Sequence, residues 1–392
     1  MGFVLRRSML ALVLVGLTAC ALLTDLDGLS GNPGGSLPDG ARESAADRSD
    51  ATNGDTDAGP NDDAGDAGPT ADAGLECTPV AGPSCTPGDC VTKTLYAKSG
   101  VYIRRIVTDP TAVYWIETDS TAYPPPASAR IMRADRTGAT DASRATELTS
   151  LAGVTSLVLD QGYVYLGVWQ AADGGGSSKV VKLKADCAPP CAVEDVATSS
   201  VWNKKKIDRL VHASPGVLVA CGENLVSRVN VNGSVALLDT PGYGVTCAVT
   251  DRMLYTSSPQ AAGVREVPPD GTQAAQIFAP LPDGGGMFSM ATDCDTIFGS
   301  RHSPETIAAA SPATREVTAP FASVTHAVED LTADARWLYG ASYGKTAVLR
   351  IDKADGGVAV IESILTSTVA TDDLGVYWGA LDGTGAVRMM VK

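Results

Sequence analysis

The chain has 392 residues and a formal net charge of −15, from 45 acidic residues against 30 lysines and arginines. This balance provides no basic surface for a phosphate backbone, so a nucleic-acid partner is not expected. The acidity is also unevenly distributed, because residues 28–76 hold eleven acids and only two arginines and account for −9 of the total.

The N-terminal end has the parts of a secretory signal peptide, which we assign to residues 1–19. Arg6 and Arg7 supply a positive start, and an apolar stretch runs over Met9–Leu17 before small residues follow. This stretch is too short to span a bilayer, so it is typical of a cleaved export signal and not of a transmembrane helix.

The tetrapeptide Leu17-Thr18-Ala19-Cys20 resembles the lipobox of bacterial lipoproteins. The resemblance implies cleavage before Cys20, diacylation of its sulfur and acylation of the new amino group. Two or more acyl chains anchor a protein stably, so we expect membrane contact through this anchor only. Ala21, where an Asp would retain the protein at the inner membrane, implies the outer membrane, facing the periplasm or the cell surface. The alternative is an ordinary signal peptide followed by an unmodified cysteine.

Residues 20–76 comprise the lipidated cysteine and a linker that we expect to be disordered. Residues 28–76 contain no aromatic residue, and the triplet Asp-Ala-Gly recurs within them. Such a composition has too little apolar surface to offset the entropy of ordering the chain. As a flexible coil this stretch spans roughly 35–42 Å, so it would serve as a stalk.

Eight cysteines remain besides Cys20, three of them in a segment over 77–90 that leads into the folded domain. An even number in an oxidising compartment indicates up to four disulfides. Cys187 and Cys191 are the best local pair, because the two prolines between them favour a tight loop. The alternative is a zinc site, but the spacings lack paired C-x-x-C motifs, so we expect disulfides and no metal.

An internal repeat occupies residues 91–392. Six copies have a branched apolar residue next to an aromatic one, with an Asp a few residues before them. The seventh, at Leu218, lacks both the Asp and the aromatic. A period of about 40–45 residues with strand-like sequence is typical of four-stranded propeller blades. The anchors are Tyr114, Tyr165, Leu218, Tyr255, Phe298, Tyr339 and Tyr377.

Each copy is predicted to contain four strands. Thr155–Leu159 is an example of a first strand, and Ala129–Arg133 of a third. Asn-Gly or Asp-Gly then predicts a two-residue primed turn before the fourth strand, because both central positions of such a turn need positive φ. These dipeptides are Asn232-Gly233, Asp270-Gly271 and Asp355-Gly356.

The two ends of the repeat region predict a closed ring. The last copy supplies only three strands, whereas Val91–Ala97 is a strand without a blade of its own. We therefore expect it to complete the last blade, which removes exposed sheet edges. The predicted fold is all-β, a seven-bladed β-propeller, with six blades as the alternative if the copy at Leu218 elaborates its neighbours.

The stretches Val113-Tyr114-Trp115 and Val376-Tyr377-Trp378 resemble the YWTD and NHL families of propellers. Ile116-Glu117 and Gly379-Ala380 depart from the YWTD pattern, because they stand where that family has Thr-Asp. The resemblance implies the propeller fold and a binding role. It does not imply a ligand, since one fold hosts many functions.

The six repeated Asp residues are interpreted as structural. Their fixed place before the second strand favours hydrogen bonds from the side chain to its own turn over a catalytic or metal-binding role. They are Asp109, Asp160, Asp251, Asp293, Asp334 and Asp372.

The variable loops are the predicted binding surface. In propellers, loops between second and third strands share one face with the connections between blades. Aromatic and cationic residues on one face suit sugars, peptides or anionic groups, although loop packing is the alternative for each. The candidate ligand-binding residues are Tyr123, Trp169, Trp202, Lys205, Arg301, His302 and Tyr343.

No catalytic constellation is recognisable, so we expect a binding or scaffolding module without a cofactor, most simply a monomer. Its partner would be an envelope protein, a peptide or a glycan. The alternative is a propeller-scaffold enzyme, polysaccharide-active or cofactor-dependent, with its site in the central channel. A pair of channel carboxylates about 5–9.5 Å apart would favour a glycosidase.

Overall fold

The structure, a computed structural model, describes most of the chain from Cys85 onward. The described residues are 85, 90–120, 128–136, 145–172, 175–242, 245–250, 253–259, 263–282, 284–325, 327–342, 344 and 346–392. The predicted signal peptide, Cys20 and the linker lie outside them. No helix in the described part of the chain is long and apolar enough to cross a membrane.

Seven four-stranded sheets, which we number as blades 1 to 7, make up the domain. Strand β1 (Thr92–Tyr96) precedes them. Blade 1 comprises β2 (Tyr102–Thr108), β3 (Ala112–Thr118), β4 (Ala129–Asp135) and β5 (Thr146–Leu151). Blade 2 comprises β6 (Val154–Asp160), β7 (Tyr163–Ala172), β8 (Gly175–Lys184) and β9 (Glu194–Asn203). Blade 3 comprises β10 (Ile207–Ser214), β11 (Val217–Gly222), β12 (Leu225–Asn230) and β13 (Val235–Asp239).

The remaining blades follow the same antiparallel order. Blade 4 comprises β14 (Thr246–Val249), β15 (Leu254–Ser257), β16 (Val264–Val267) and β17 (Gln276–Ala279). Blade 5 comprises β18 (Ser289–Thr292), β19 (Ile297–His302), β20 (Glu305–Ala310) and β21 (Val317–Ser323). Blade 6 comprises β22 (Asp330–Ala333), β23 (Trp337–Ser342), β24 (Ala347–Asp352) and β25 (Val358–Glu362). Blade 7 comprises β26 (Thr366–Thr371), β27 (Gly375–Ala380) and β28 (Val387–Val391), with β1 as its fourth strand.

Side chains of the second strands form much of the apolar core between neighbouring blades. Successive side chains of a strand point to opposite faces, so each second strand packs against a neighbouring blade on both sides. In β3, Tyr114 joins the apolar cluster shared with blade 2, whereas Trp115 joins the cluster shared with β1 and blade 7. This arrangement explains why β3, β23 and β27 are buried along their whole length.

The blades close into a ring. Their first strands are innermost and contact one another in the order β2, β6, β10, β14, β18, β22, β26 and back to β2. Strand β1 pairs with β28 from Thr92 opposite Met390 to Tyr96 opposite Val387. The seven-bladed propeller and its closure by an N-terminal strand are thus confirmed.

Tyr96 of β1 also contacts blade 1. Its ring centroid lies 5.0 Å from that of Trp115, and its hydroxyl donates a 2.6 Å hydrogen bond to Glu117 Oε2. Glu117 also accepts from Lys98 at 3.0 Å and from Arg130 at 2.7 Å. Closure therefore combines sheet pairing within blade 7 with a buried polar network in blade 1.

The copy at Leu218 forms a complete blade, so the propeller has seven blades and not six. Leu218 lies in β11, and β10 to β13 form a four-stranded sheet. This copy lacks its own Asp, and Asp160 of blade 2 takes over part of its role by accepting a hydrogen bond from the Gly216 N–H at 3.0 Å.

The structural interpretation of the repeated Asp residues is confirmed at Asp109, Asp293, Asp334 and Asp372. Each accepts backbone N–H groups two or three residues further along its own turn. In blade 1 the Tyr114 hydroxyl also donates to Asp109 Oδ2 at 2.9 Å. Burial raises the pKa of Asp109, but hydrogen bonds from Thr111, Ala112 and Tyr114 outweigh it and lower that pKa below its usual value.

Three of these Asp residues also pair with a cation of the next blade. The cation follows the third strand of its own blade and reaches back to the preceding one. The pairs are Arg136 with Asp372 at 3.0 Å, Lys392 with Asp334 at 3.2 Å, and Lys353 with Asp293.

The Asn-Gly and Asp-Gly dipeptides lie in turns, as predicted, but the predicted turn type is wrong. The loop from Asn230 to Val235 is longer than two residues, and Gly233 has positive φ whereas Asn232 is not among the residues that do. Instead, Asn232 Oδ1 accepts the Ser234 N–H at 3.2 Å. The same bond to the residue two positions further on forms at Asp270 and Asp355.

Disulfide bonds cross-link the described part of the domain. The predicted Cys187–Cys191 bond is present, and Cys85–Cys90 and Cys221–Cys247 accompany it. Cys294 is disulfide-bonded as well. Several disulfides in one domain are typical of an exported protein, because reducing compartments disfavour them.

Candidate functional site at the mouth of the central channel

Two faces of the propeller differ in the segments that form them. We call loop face the surface formed by loops between second and third strands and by connections between blades. Backbone bonds hold these segments together, such as Trp169 N–H to Gly153 O at 2.8 Å and Lys204 N–H to Gly176 O at 2.7 Å. The opposite turn face carries the turns that join first to second and third to fourth strands.

At the loop-face end of every innermost strand, two residues lie between two buried ones. We call them the mouth pairs, because the innermost strands surround the central channel. They are Arg104-Arg105, Thr155-Ser156, Asp208-Arg209, Thr246-Cys247, Phe288-Ser289, Glu329-Asp330 and Ser367-Thr368.

Several mouth pairs lie on β-bulges. In blade 1, Ile103 pairs with Glu117 but Ile106 pairs with Trp115, so β2 has one residue more than β3 at this point. The registers of β6, β10 and β26 shift at the equivalent place. A bulge re-aims a side chain and leaves backbone groups outside the ladder, and bulges are frequent beside functional sites.

An oxygen at the second position of the pair performs a structural role in three blades. It accepts a backbone N–H from the next blade, and so satisfies a buried donor. The bonds are Leu210 N–H to Ser156 Oγ at 2.6 Å, Val369 N–H to Asp330 Oδ2 at 3.1 Å, and Ile106 N–H to Thr368 Oγ1 at 3.1 Å.

Arginines occupy this position in blades 1 and 3. Arg105 and Arg209 lie 3.6 and 3.2 Å from Asp330 Oδ1, and Arg209 also donates to Ser289 Oγ at 3.4 Å. Blades 1, 3 and 6 are not neighbours, so these side chains meet across the channel. Burial lowers the pKa of Arg209, Asp330 raises it and the charge of Arg105 lowers it, with a net value below the usual one.

A cavity of about 110 Å³ opens at this mouth. Its polar lining comes from mouth pairs of four blades: Arg104, Arg105, Thr155, Glu329 and Ser367. The volume is several times the roughly 10–15 Å³ that one ordered water requires. The mouth is therefore a charged recess with room for a small ligand group.

The predicted site residues are not all on the surface. Trp202 is fully buried and its indole N–H donates to Ser227 Oγ at 2.9 Å, and Arg301 is buried too. Both belong to the interior and are left out of the candidate site. Tyr123 and Tyr343 lie outside the described residues, as does Cys20.

Trp169, Lys205 and His302 lie on the loop face. Trp169 is half-buried and packs over Gly176 in the hairpin of β7 and β8, which are ten residues each. Lys205 Nζ donates to a backbone carbonyl at 3.3 Å. The His302 ring stacks on Phe288 at 3.5 Å, and Phe288 is 39% exposed.

Sequence reasoning missed the mouth pairs, although a signal exists. In Ile103-Arg-Arg-Ile106 and Ile207-Asp-Arg-Leu210 the buried apolar residues are three apart. A regular strand would space them by two, so this spacing within a strand indicates a bulge.

The channel carboxylate of Asp330 is paired with two guanidinium groups, those of Arg105 and Arg209. Among the residues that the structure describes, no group of three or more His, Cys, Asp or Glu is placed to hold a metal ion.

Comparisons with solved structures agree with a β-propeller fold. No family model and no curated protein sequence matches the chain. The WD40 β-propeller domain of Doa1 is similar with a TM-score of 0.56 and 13% identity, over 77% of this chain and 97% of that one. A chain of the mitotic checkpoint complex has a TM-score of 0.55 and 10% identity, over 79% and 96%. The computationally designed Ika8 protein has 0.52 and 12%, over 76% and 100%.

At such identities the similarity shows the fold alone.

Proposed function

We propose that this chain is an exported lipoprotein whose propeller displays a binding site on its loop face. The observation that carries the proposal is the channel mouth. Arg105 and Arg209 stand there at the position that caps a backbone N–H in other blades, and Arg104 and Arg105 line an open cavity. Such replacements are costly in a fold and are retained where a ligand benefits from them. The partner is an envelope protein, peptide or glycan.

The proposed organisation places a signal peptide at 1–19, a lipidated Cys20 and acidic stalk over 20–76, a cysteine-containing segment over 77–90 and the propeller over 91–392. The disulfides support export. The lipobox-like tetrapeptide supports an outer-membrane anchor, and the length of the stalk lets the loop face reach partners away from the lipid surface.

Cys20→Ala is expected to move the protein from the membrane fraction to the soluble fraction, because it removes the acylated sulfur. Fractionation of cells and immunodetection of the full-length chain measure this. Ala19→Ser is the matched control, since it keeps a small residue before the cysteine. Membrane retention of Cys20→Ala at the control level would contradict the anchor.

Affinity capture tests the binding role. Immobilised full-length protein is incubated with detergent-solubilised envelope extract, alongside a loop-face variant carrying Trp169→Ala, Lys204→Ala and Phe288→Ala. All three side chains lie on the loop face, and none belongs to the ion cluster of Arg105, Arg209 and Asp330. A turn-face variant carrying Arg315→Ala and Arg336→Ala is the control.

The expected result is a component that the wild type and the turn-face variant retain and that the loop-face variant loses by at least about tenfold, as truncation of central aromatic residues does at interfaces. Equal retention by all three proteins would contradict a loop-face site. Thermal unfolding of each variant checks that the fold is kept.

A further inference from the structure

We propose that the channel mouth binds an oxyanion, a carboxylate or phosphate group, through Arg104, Arg105 and Arg209. This inference rests on the proposed function, because it assigns a ligand chemistry to the same face. Three features support the site: the capping position of the mouth pairs does not require arginine, the mouth has a positive excess, and the cavity admits a small anionic group.

The fold does not need arginine at these positions. Ser156, Thr368 and Asp330 show that the second residue of a mouth pair caps a backbone N–H of the next blade. Arginine has no acceptor atom and cannot replace them in this role. Withdrawing guanidinium groups from water is costly, and a single carboxylate shared by two of them offsets only part of that cost.

The charges at the mouth do not cancel. Among the mouth pairs, three guanidinium groups, those of Arg104, Arg105 and Arg209, stand against three carboxylates, those of Asp208, Glu329 and Asp330. Asp208 pairs with Lys206 at 3.4 Å, which adds a fourth cation. The mouth therefore has an excess of one positive charge, which an incoming monoanion would neutralise.

The excess positive charge is accessible through the cavity. Arg104 and Arg105 both line it, whereas Arg209 and Asp330 pair across the channel. Arg104 Nη2 donates to Ser120 O at 3.1 Å and its Nε to Thr118 Oγ1 at 3.3 Å, which fixes the guanidinium plane. A positioned guanidinium binds planar or tetrahedral oxyanions through paired hydrogen bonds, and partial burial strengthens these bonds.

Isothermal titration of the full-length protein tests the inference, with sodium acetate and sodium phosphate as separate probes at matched ionic strength. Saturable binding of at least one probe is expected. Arg105→Gln and Arg104→Gln are each expected to weaken it by at least about tenfold, the loss typical of one charge-assisted hydrogen bond. Arg336→Gln makes the same charge change on the turn face and should leave the affinity unchanged.

Arg104→Gln guards against misfolding as the cause of a lost affinity. The ion pairs of Asp330 are formed with Arg105 and Arg209, so this variant removes a mouth cation and keeps both pairs. Unfolding midpoints of all variants identify any that has lost its fold. The probe that binds more tightly distinguishes a carboxylate ligand from a phosphate ligand, and either result supports the site.

Absence of saturable binding for both probes would overturn the inference, as would binding that Arg104→Gln and Arg105→Gln leave unchanged. If partner capture still depends on the loop face in that case, the oxyanion site alone fails. If capture is independent of the loop face while the arginine-dependent binding holds, the proposed partner role fails and the oxyanion site stands.

Discussion

Deletion of Thr92–Tyr96 unfolds the propeller or lowers its unfolding free energy by more than about 5 kcal/mol, because burial of Leu95 and Tyr96 is lost and each large core side chain contributes about 2–5 kcal/mol. The deletion also exposes the edge of β28, which presents unpaired backbone groups to other chains. We therefore expect aggregation together with a lower midpoint.

Thermal unfolding followed by circular dichroism, with size-exclusion chromatography, measures both effects. Removal of Asp55–Gly59 from the predicted linker is the length-matched control and should change neither. Tyr96→Phe removes only the hydrogen bond to Glu117, so a smaller loss of about 1 kcal/mol is expected. An unchanged midpoint after the strand deletion would show that β1 does not close the ring.

Asp330→Ala is expected to lower the free energy of unfolding by about 3 kcal/mol, because two guanidinium groups lose their shared carboxylate. Arg105 and Arg209 retain partial access to solvent, which keeps the loss at the lower end for a broken buried pair. The Val369 N–H also loses its acceptor, a further destabilising contribution.

Asp330→Asn separates these contributions. It removes the charge but keeps a side-chain oxygen for the Val369 N–H, so its loss should be intermediate. Chemical denaturation of the two variants and the wild type gives the comparison. Losses below about 0.5 kcal/mol for both, the range of neutral surface changes, would show that the cross-channel cluster does not contribute to stability.

Most of the fold could be predicted from the sequence, because its signals are local and repeated. The Asp before the second strand forms the same turn at Asp109 and Asp334, and Tyr114 and Tyr339 recur in the same core position. Even the weak copy at Leu218 could be placed, since it falls at the period set by its neighbours.

The turn type and the site were harder to predict, because they depend on tertiary context. Asn232 takes a longer turn closed by its own side chain. Trp202 lies next to the connection between blades 2 and 3, but its side chain is in the core, where the indole N–H donates a hydrogen bond to Ser227 Oγ. Arg105 and Arg209 are distant in sequence, and only ring closure brings them to one carboxylate.

Site-specific photo-cross-linking in intact cells tests the binding role of the loop face most directly. A photoreactive phenylalanine analogue replaces Phe288, which is partly exposed beside the mouth, or Arg336 on the turn face. We expect a discrete cross-linked partner from position 288 and none from position 336. Cross-linking from position 336 alone, or equally from both, would contradict it.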